Sequence, residues 1–377
     1  MPITSIRIHN FRNLAEAELA PCKSGLNIIC GANGSGKTSL LESIYYLGLG
    51  RSFRTSSPLR LIRQTTEQFS IFSQLVSDSR DIPVGVERDV GGNTRLRVAE
   101  TDVASIAELA ACLPVQLINS QSHHLFESGP VYRRKFIDWG LFYHIPGFFT
   151  CWRQYERVLK QRNSVLRERR PKNELQPWTD ELVHYGLMLD AYRLQYVLDL
   201  VPLVAEIAQE LLEDQNVEDN LPIGGQLEFE YHSGWEKGAD FAAILADAFA
   251  EEMQNKHTLY GPHRADLSIT IKGVPVKHFL SRGQQKLLIC AMMIAQGKLL
   301  QQHANKGLIY LVDDLPAELD LPSRQKLVSL LCRQQTQVFI TTIEYESIYE
   351  LVNHHPDVSM KVFHVEHGNV CSRNSML

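Results

Sequence analysis

Ile3, Ile6 and Ile8 give the start of the chain a short strand-like alternation. Residues 25–30 form an apolar run that stops abruptly at Gly31, as a buried strand does before a tight turn. From Lys37 to Leu47 the apolar residues Leu40, Leu41, Ile44 and Leu47 fall at helical spacing. Residues 69–98 read as antiparallel strands, with a hairpin turn at Gly91-Gly92-Asn93. Over 149–213 the pattern is helical. Trp152, Tyr155, Leu159 and Leu166 share one face, and Leu182, Tyr185, Leu189, Tyr192 and Tyr196 step by 3 and 4 along a seam. Pro171 and Pro177 fall between these two helices, and Pro202 breaks or kinks the second. Two helices of ~20 residues predict an arm of only ~30 Å, or a helical domain packed on itself. Strand–helix alternation returns near the C-terminus. Residues 267–271 and 274–279 flank a hairpin at Lys272-Gly273, 282–300 read as a helix, and 308–312 and 337–341 read as buried strands. Short apolar strands alternating with helices predict an α/β fold with a parallel sheet covered on both faces.

Composition narrows the class. A hydrophobic fraction of 44% with 21% charged residues excludes disorder as the dominant state. A net charge of −5 excludes a protein that coats nucleic acid by bulk charge, though not one with a local basic face. The seven cysteines include no C-x-x-C pair and predict free thiols in a reducing compartment. The first twenty residues carry polar and charged residues throughout, unlike a signal peptide. No apolar run reaches the ~20 residues that span a bilayer. The expected location is the cytoplasm. His123-His124 and His354-His355 are expected to be surface or packing residues, since nothing supplies a metal geometry.

Three motifs carry chemistry. Gly31-Ala32-Asn33-Gly34-Ser35-Gly36-Lys37-Thr38, followed by Ser39, matches the phosphate-binding loop G-x-x-x-x-G-K-[ST]. Its glycines let backbone N–H groups wrap a phosphate, and the following helix adds its positive end. Lys37 is placed to reach the β- and γ-phosphates of ATP, and the Thr38 hydroxyl to ligate Mg²⁺. The apolar run ending in Asp313-Asp314 supplies the carboxylates such a site needs: Asp313 for Mg²⁺ and Asp314 to orient the attacking water. Leu280-Ser281-Arg282-Gly283-Gln284 resembles the LSGGQ signature of ABC-type ATPases, with Arg in place of the first Gly, and lies 32 residues before Asp313. By itself it also reads as a capped helix start. Ala317-Glu318-Leu319-Asp320 follows at the place of the ABC D-loop.

In this order the motifs resemble an ABC ATPase of the SMC-like class, in its bacterial DNA replication and repair branch. The resemblance extends over essentially the whole chain. It is carried further by Phe11-Arg12-Asn13, by residues 50–55 (Gly-Arg-Ser-Phe-Arg-Thr), and by Gly129-Pro130 with residues 133–138. Residues 159–163 and Gly261-Pro262-His263-Arg264 complete it. It implies an ABC-type P-loop ATPase head with an antiparallel β subdomain and an inserted helical second domain. The expected boundaries are 1–130 with 245–377 for the head and 131–244 for the arm. It also implies Arg12 at the nucleotide, with Ser281, Arg282, Gly283 and Gln284 completing the site of a second copy in an ATP-dependent homodimer. The implied activity is slow hydrolysis used as a release switch, with recombinase loading and SOS induction together with RecR and RecO. Two departures fit a slow ATPase: Thr341-Thr342 stand where an ABC head usually has a histidine, and Asp314 replaces a Glu. Gln121 is the candidate Q-loop glutamine.

Between residues 153 and 172 the basic residues are Arg153, Arg157, Lys160, Arg162, Arg167, Arg169, Arg170 and Lys172, against Glu156 and Glu168. This excess reads either as a face for single-stranded, duplex or gapped DNA or as a solvated helix. Arg51, Arg54, Arg60 and Arg63 form a second patch, toward DNA or toward nucleotide phosphates. Two competing functions are an ABC transporter motor and an SMC-type chromosome organiser. The first predicts a membrane partner. The second predicts a long coiled coil, for which the 244 residues between Lys37 and Ser281 are too few.

Overall fold

The computed structural model describes residues 1–77, 80–212, 223–304, 307–315, 319–352 and 357–373. The chain divides into two compact units, Met1–Ser122 with Leu300–Leu377, and His123–Leu299.

The first unit contains two six-stranded sheets. One is antiparallel, in the order Leu14–Leu19, Ile3–Phe11, Gln68–Ser77, Arg80–Asp89, Thr94–Val98, Thr101–Asp102. Its strands bury alternate residues, so Ile6, Ile8, Phe69, Ile71, Val84 and Val86 point inward. The other runs Asn369–Arg373, Met360–Glu366, Gly25–Cys30, Gln337–Thr342, Ile309–Val312, Val115–Ile118. All its neighbours are parallel except the C-terminal hairpin at the edge. The central strands Gly25–Cys30, Ile309–Val312 and Gln337–Thr342 are buried at every position, which explains their unbroken apolar character. The helix Lys37–Leu49 shares one core with residues of both sheets through Leu40, Leu41, Ile44, Tyr46 and Leu47. Being covered on several sides, it is apolar around most of its surface.

The second unit is built on the helices Pro130–His144, Phe148–Arg167 and Lys172–Leu212, with a three-stranded antiparallel sheet of Val274–Pro275, Asp266–Ile271 and Leu227–His232. The last helix corrects the expectation of two 20-residue helices. It runs for 41 residues, about 60 Å at 1.5 Å per residue, with Pro177 and Pro202 inside it. A proline costs about 3 kcal/mol in a helix interior. The buried stripe Leu175, Leu182, Leu189, Tyr196, Leu200, Val204, Ile207 and Leu211 runs past both prolines and outweighs that cost. The second hairpin strand is also shorter than expected. Pro275 has no N–H to continue the ladder, and Val276–Phe279 turns into a single helical turn.

The expected boundaries at 130/131 and 244/245 do not coincide with the compact units. Strand Leu227–His232 pairs along its length with Asp266–Ile271, so a division at 244 would separate two strands of one ladder. Residues 245–299, including the signature, therefore pack with the helical unit.

Candidate functional site

Strand register assembles the first part of the site. Cys30 lies opposite Thr342 and Ile29 opposite Thr341, so the loop that starts at Gly31 leaves the sheet at its carboxyl edge. Val312 lies opposite Ile340, so Asp313 emerges beside Thr341 at the same edge, where open α/β sheets place ligands. Gly31, Gly34 and Gly36 have φ of 151°, 78° and 122°. At Gly31 a Cβ would lie 2.2 Å from the carbonyl oxygen of Val365, so only glycine fits. Asn13 Nδ2 donates to the carbonyls of Gly34 (3.4 Å) and Ser35 (3.3 Å), tying the first hairpin to the loop. Lys37 Nζ donates to the carbonyls of Gly31 (2.7 Å) and Ala32 (3.0 Å). Burial holds the Lys37 ammonium below its ordinary pKa, against the pull of Asp314 and Asp313.

Hydroxyls fix the Asp313 carboxylate and the Asp314 backbone. Thr38 Oγ1 donates to Asp313 Oδ1 at 3.1 Å, and Thr341 Oγ1 donates to the same oxygen at 2.8 Å. Thr341 Oγ1 also accepts from the Asp314 N–H at 2.7 Å. That bond holds Asp314 in the left-handed region, with φ of 55°. Burial raises the Asp313 pKa above the usual carboxylate range, partly offset by the two threonines.

A second group of charges lines the same cavity. Glu42, four residues after Thr38 on the same helix, is fully buried. It accepts from Arg12 Nε (2.9 Å) and Nη2 (2.7 Å) and from the Ser52 hydroxyl, and it lies 3.8 Å from Arg54 Nη1. Arg12 Nη1 donates to the carbonyl of Arg60 at 3.1 Å. The cavity, about 840 Å³, is lined by Asn33, Gly34, Gly36, Lys37, Thr38, Ser39, Asp313, Asp314 and Thr341 on one side. Arg12, Asn13, Arg54, Arg60 and residues 62–65 line the rest.

These residues fit a magnesium triphosphate. Thr38 and Asp313 offer two oxygen donors 3.1 Å apart, the donor type Mg²⁺ takes. A Cβ at Gly34 would meet nothing within 4 Å, leaving the loop backbone open to a close ligand. Ser35 Oγ is buried without a hydrogen-bond partner beside that backbone.

The structure thus brings together the predicted loop, Asp313, Asp314 and Arg12. Arg12 lines the cavity, but its three nitrogens already donate within the protein. Of the patch left open between DNA and nucleotide, Arg54, Arg60 and Arg63 line the cavity and Arg51 does not. Gln121 is exposed on the segment after Val115–Ile118 and does not line it; Gln64 does. Glu42 escaped the sequence reading; Asn13, Ser52 and Thr341 are named there without these roles. An acid within the apolar run Leu40 to Leu47 was the available signal for Glu42.

The signature lies in the helical unit. Ser281 Oγ accepts from the Gln284 N–H (3.3 Å) while Gln284 Oε1 accepts from the Ser281 N–H (2.8 Å), a capping box that starts helix Arg282–Ala304. Ser281, Arg282 and Gly283 are exposed. Of the D-loop, Ala317 and Glu318 lie outside the described residues, as do His354 and His355. Asp320 caps the helix Leu321–Arg333.

The basic segment divides in two. Arg162 is corrected as a candidate DNA contact: it is 1% exposed. Its nitrogens donate to Thr179 Oγ1 (3.1 Å), Thr258 Oγ1 (2.8 Å) and Glu252 Oε2 (2.6 Å). Arg153, Arg157, Lys160, Arg167, Arg169 and Arg170 are exposed. Several motif residues that carried the family resemblance are structural. Arg133 pairs with Asp266, Asp138 with Arg193, and Tyr155 OH with His263 Nδ1. Among the described residues no group of His, Cys, Asp and Glu forms a metal cluster, and no helix is long and apolar enough to cross a membrane. The described cysteines form no disulfide.

Residues 2–370 match the family model of the RecF/RecN/SMC N-terminal domain. The chain is 40% identical over 370 residues to the DNA replication and repair protein RecF of Shewanella frigidimarina, covering 98% of this chain and 99% of that one. It is 42% identical over 372 residues to RecF of Cellvibrio japonicus, with the same coverage. In fold it resembles a structure of the recombination mediator protein RecF with ATP in the RecFOR pathway. That match has a TM-score of 0.84 and 24% identity, over 99% of this chain and 98% of that one. An SMC head domain from Pyrococcus furiosus, crystallised with part of ScpA, aligns at a TM-score of 0.57 and 15% identity, over 99% and 97% of the two chains. The match over the full length, on a P-loop site with this acidic strand end and signature, shows that the chain belongs to the RecF family of DNA replication and repair proteins, within the RecF/RecN/SMC class of ABC-type ATPases.

Proposed function

We propose that the protein is an ATP-driven DNA clamp of recombinational repair, whose nucleotide sites are completed across a homodimer. The observation that carries this reading is the run of hydrogen bonds from Thr38 through Asp313 and Thr341 to Asp314, beside the P-loop at one sheet edge. In it the P-loop N–H groups and Lys37 hold the phosphates, with Thr38 and Asp313 as the Mg²⁺ ligands. Bound Mg²⁺ neutralises charge that develops on the phosphates. Thr341 fixes the Asp313 carboxylate and the Asp314 backbone, and the Asp314 carboxylate is the group assigned to orient the attacking water. Asp314 is shorter than glutamate, which favours slow hydrolysis and a switch over a motor.

Ser281, Arg282, Gly283 and Gln284 of one subunit close the site of the other, in a head-to-tail arrangement across a two-fold axis. Their exposure as a helix N-terminus supports this role, because an anion is attracted there. Arg153, Arg157, Lys160 and Arg167 fall at 4-, 3- and 7-residue steps on one helix face and are the proposed phosphate contacts for duplex, single-stranded and gapped DNA. Arg169 and Arg170 extend that face. DNA stimulates a weak ATPase, RecR and RecO are the partners in loading recombinase and in SOS induction, and the setting is the cytoplasm.

Light scattering tests the core of this reading. The protein should be a monomer in ADP and a dimer in ATP with Mg²⁺, and gapped-DNA affinity should rise only in the second condition. A monomer at micromolar protein under saturating ATP would overturn the clamp.

A further inference from the structure

Two guanidinium groups meet one buried carboxylate at the edge of the nucleotide cavity, and they meet it unequally. Arg12 is 18% exposed and forks onto Glu42 through two nitrogens, while its third donates to the Arg60 carbonyl. Three of its five N–H donors are spent in these bonds, and both groups that hold it are within the protein. Arg54 is 47% exposed and approaches Glu42 only to 3.8 Å, beyond hydrogen-bond distance. The Arg54 backbone is nonetheless fixed. Ser52 Oγ, which donates to Glu42, accepts from the N–H groups of Arg54 (2.9 Å) and Thr55 (3.0 Å). Arg54 therefore stands on an anchored backbone with a loosely held head.

We infer that Glu42 is a positioning residue of the ATP site: it locks Arg12 as a strut and parks Arg54 as a displaceable counter-charge that an entering triphosphate draws off. This rests on the nucleotide reading above and adds to it a competitor for the phosphates inside the protein. A bidentate Arg–carboxylate pair is directional and costly to break, whereas a partly exposed contact at 3.8 Å is weak. A polyanion in the cavity thus takes Arg54 and leaves Arg12. Because Glu42 is on the helix that carries Thr38, one rigid element presents both the metal ligand and the carboxylate that holds the counter-charge.

The test is a double-mutant cycle read by calorimetric titration of ATP with Mg²⁺, alongside melting temperature. Glu42→Gln keeps the shape and removes the charge. It should tighten ATP binding about three- to fivefold, the range expected of a weak ion pair, because Arg54 no longer has to leave a carboxylate. In an Arg54→Ala background the same change should alter affinity less than twofold. A residue that only supports the fold would weaken binding equally in both backgrounds, and that result overturns the proposal. So does unchanged affinity in Glu42→Gln. Should Glu42→Gln fail to fold, the wild-type protein crystallised with a non-hydrolysable ATP analogue decides. Arg54 on phosphate with Arg12 still on Glu42 supports the proposal, and Arg12 on phosphate or Arg54 still on Glu42 refutes it. Failure of the wild type to bind ATP at all would instead refute the nucleotide reading.

Discussion

Both units bury arginine–carboxylate pairs, and the pairs differ in what surrounds them. In the helical unit Arg162 and Glu252 are 1% and 0% exposed, and each nitrogen of Arg162 has a partner. Arg193 likewise spends two nitrogens on Asp138 and the third on the Pro262 carbonyl. In the first unit Glu42 is as buried as Glu252, but its guanidinium partners open onto a cavity that also holds Lys37, Asp313 and Asp314. Closed pairs hold segments distant in sequence together. Open ones leave charge available to a ligand. Burial of the acid alone does not separate the two cases; the exposure of its partner does.

Breaking a closed pair should have the largest effect. Removing one partner of a buried ion pair costs about 3–5 kcal/mol, because the other charge is left without compensation. Arg162→Ala strands Glu252 and also frees Thr179 and Thr258. Urea unfolding should show the helical unit losing that stability. A loss below about 1 kcal/mol would mean that the pair behaves as a surface contact.

Acid should sharpen the same contrast. His263 is half-buried beside the closed network, with Nδ1 accepting from Tyr155 OH and Nε2 donating to the Thr258 carbonyl. Burial lowers its pKa from 6.5 to about 4; the Thr258 bond opposes this, and Arg264, Arg134 and Arg162 reinforce it. The folded form thus prefers neutral His263, and the unfolded chain takes up the proton first as pH falls. The contribution is complete above pH 6.5 and disappears as pH falls through about 4. A shift of this size corresponds to on the order of 3 kcal/mol. His263→Gln should lower stability at pH 7 yet flatten its fall between pH 6.5 and 4. An unchanged slope would remove His263 from that role.

The open site should respond in rate and not in stability. Asp314→Asn keeps the backbone bond to Thr341 and removes the charge that orients water, so hydrolysis should fall about a hundredfold, within the range for a positioned acid–base group. ATP binding and melting temperature should stay at wild-type values, and the ATP-bound dimer should accumulate. Hydrolysis at the wild-type rate would show that another group orients the water.

How much of this contrast the sequence revealed follows from which interactions are local. The P-loop is a contiguous run whose spacing encodes its own geometry. The apolar strands Gly25–Cys30, Ile309–Val312 and Gln337–Thr342 are buried at every position, so the α/β sheet was legible as well. Glu42 was not, because its meaning comes from Arg12 and Ser52, 30 and 10 residues away. Arg162 was misread for the same reason: in the sequence it sits among exposed cations, and only the fold brings Glu252 to it from 90 residues away. The prolines were overweighted because local propensity was judged without the buried stripe that carries the helix past them. Thr341 was seen as a departure from the ABC pattern, and the parallel register that puts it beside Asp313 gave it a role.

The exposed remainder of the basic segment should give the smallest effect. Arg157 and Lys160 are exposed on helix Phe148–Arg167, and among the described residues no salt bridge engages either. Arg162, on the same helix, points inward and is unavailable. If the outer face meets DNA phosphates, each lost charge removes about one released counterion, and the slope of log affinity against log salt should fall by about 0.9 for duplex DNA. Arg157→Gln and Lys160→Gln together should lower that slope by nearly 2 and weaken binding to all DNA sequences alike. Melting temperature and ATP binding should not change, since neither side chain is buried. Glu156→Gln on the same helix is the control: it adds net positive charge and should leave affinity equal or slightly higher. A salt slope that stays at the wild-type value in the double variant would place DNA elsewhere on the molecule and leave this face as solvated helix.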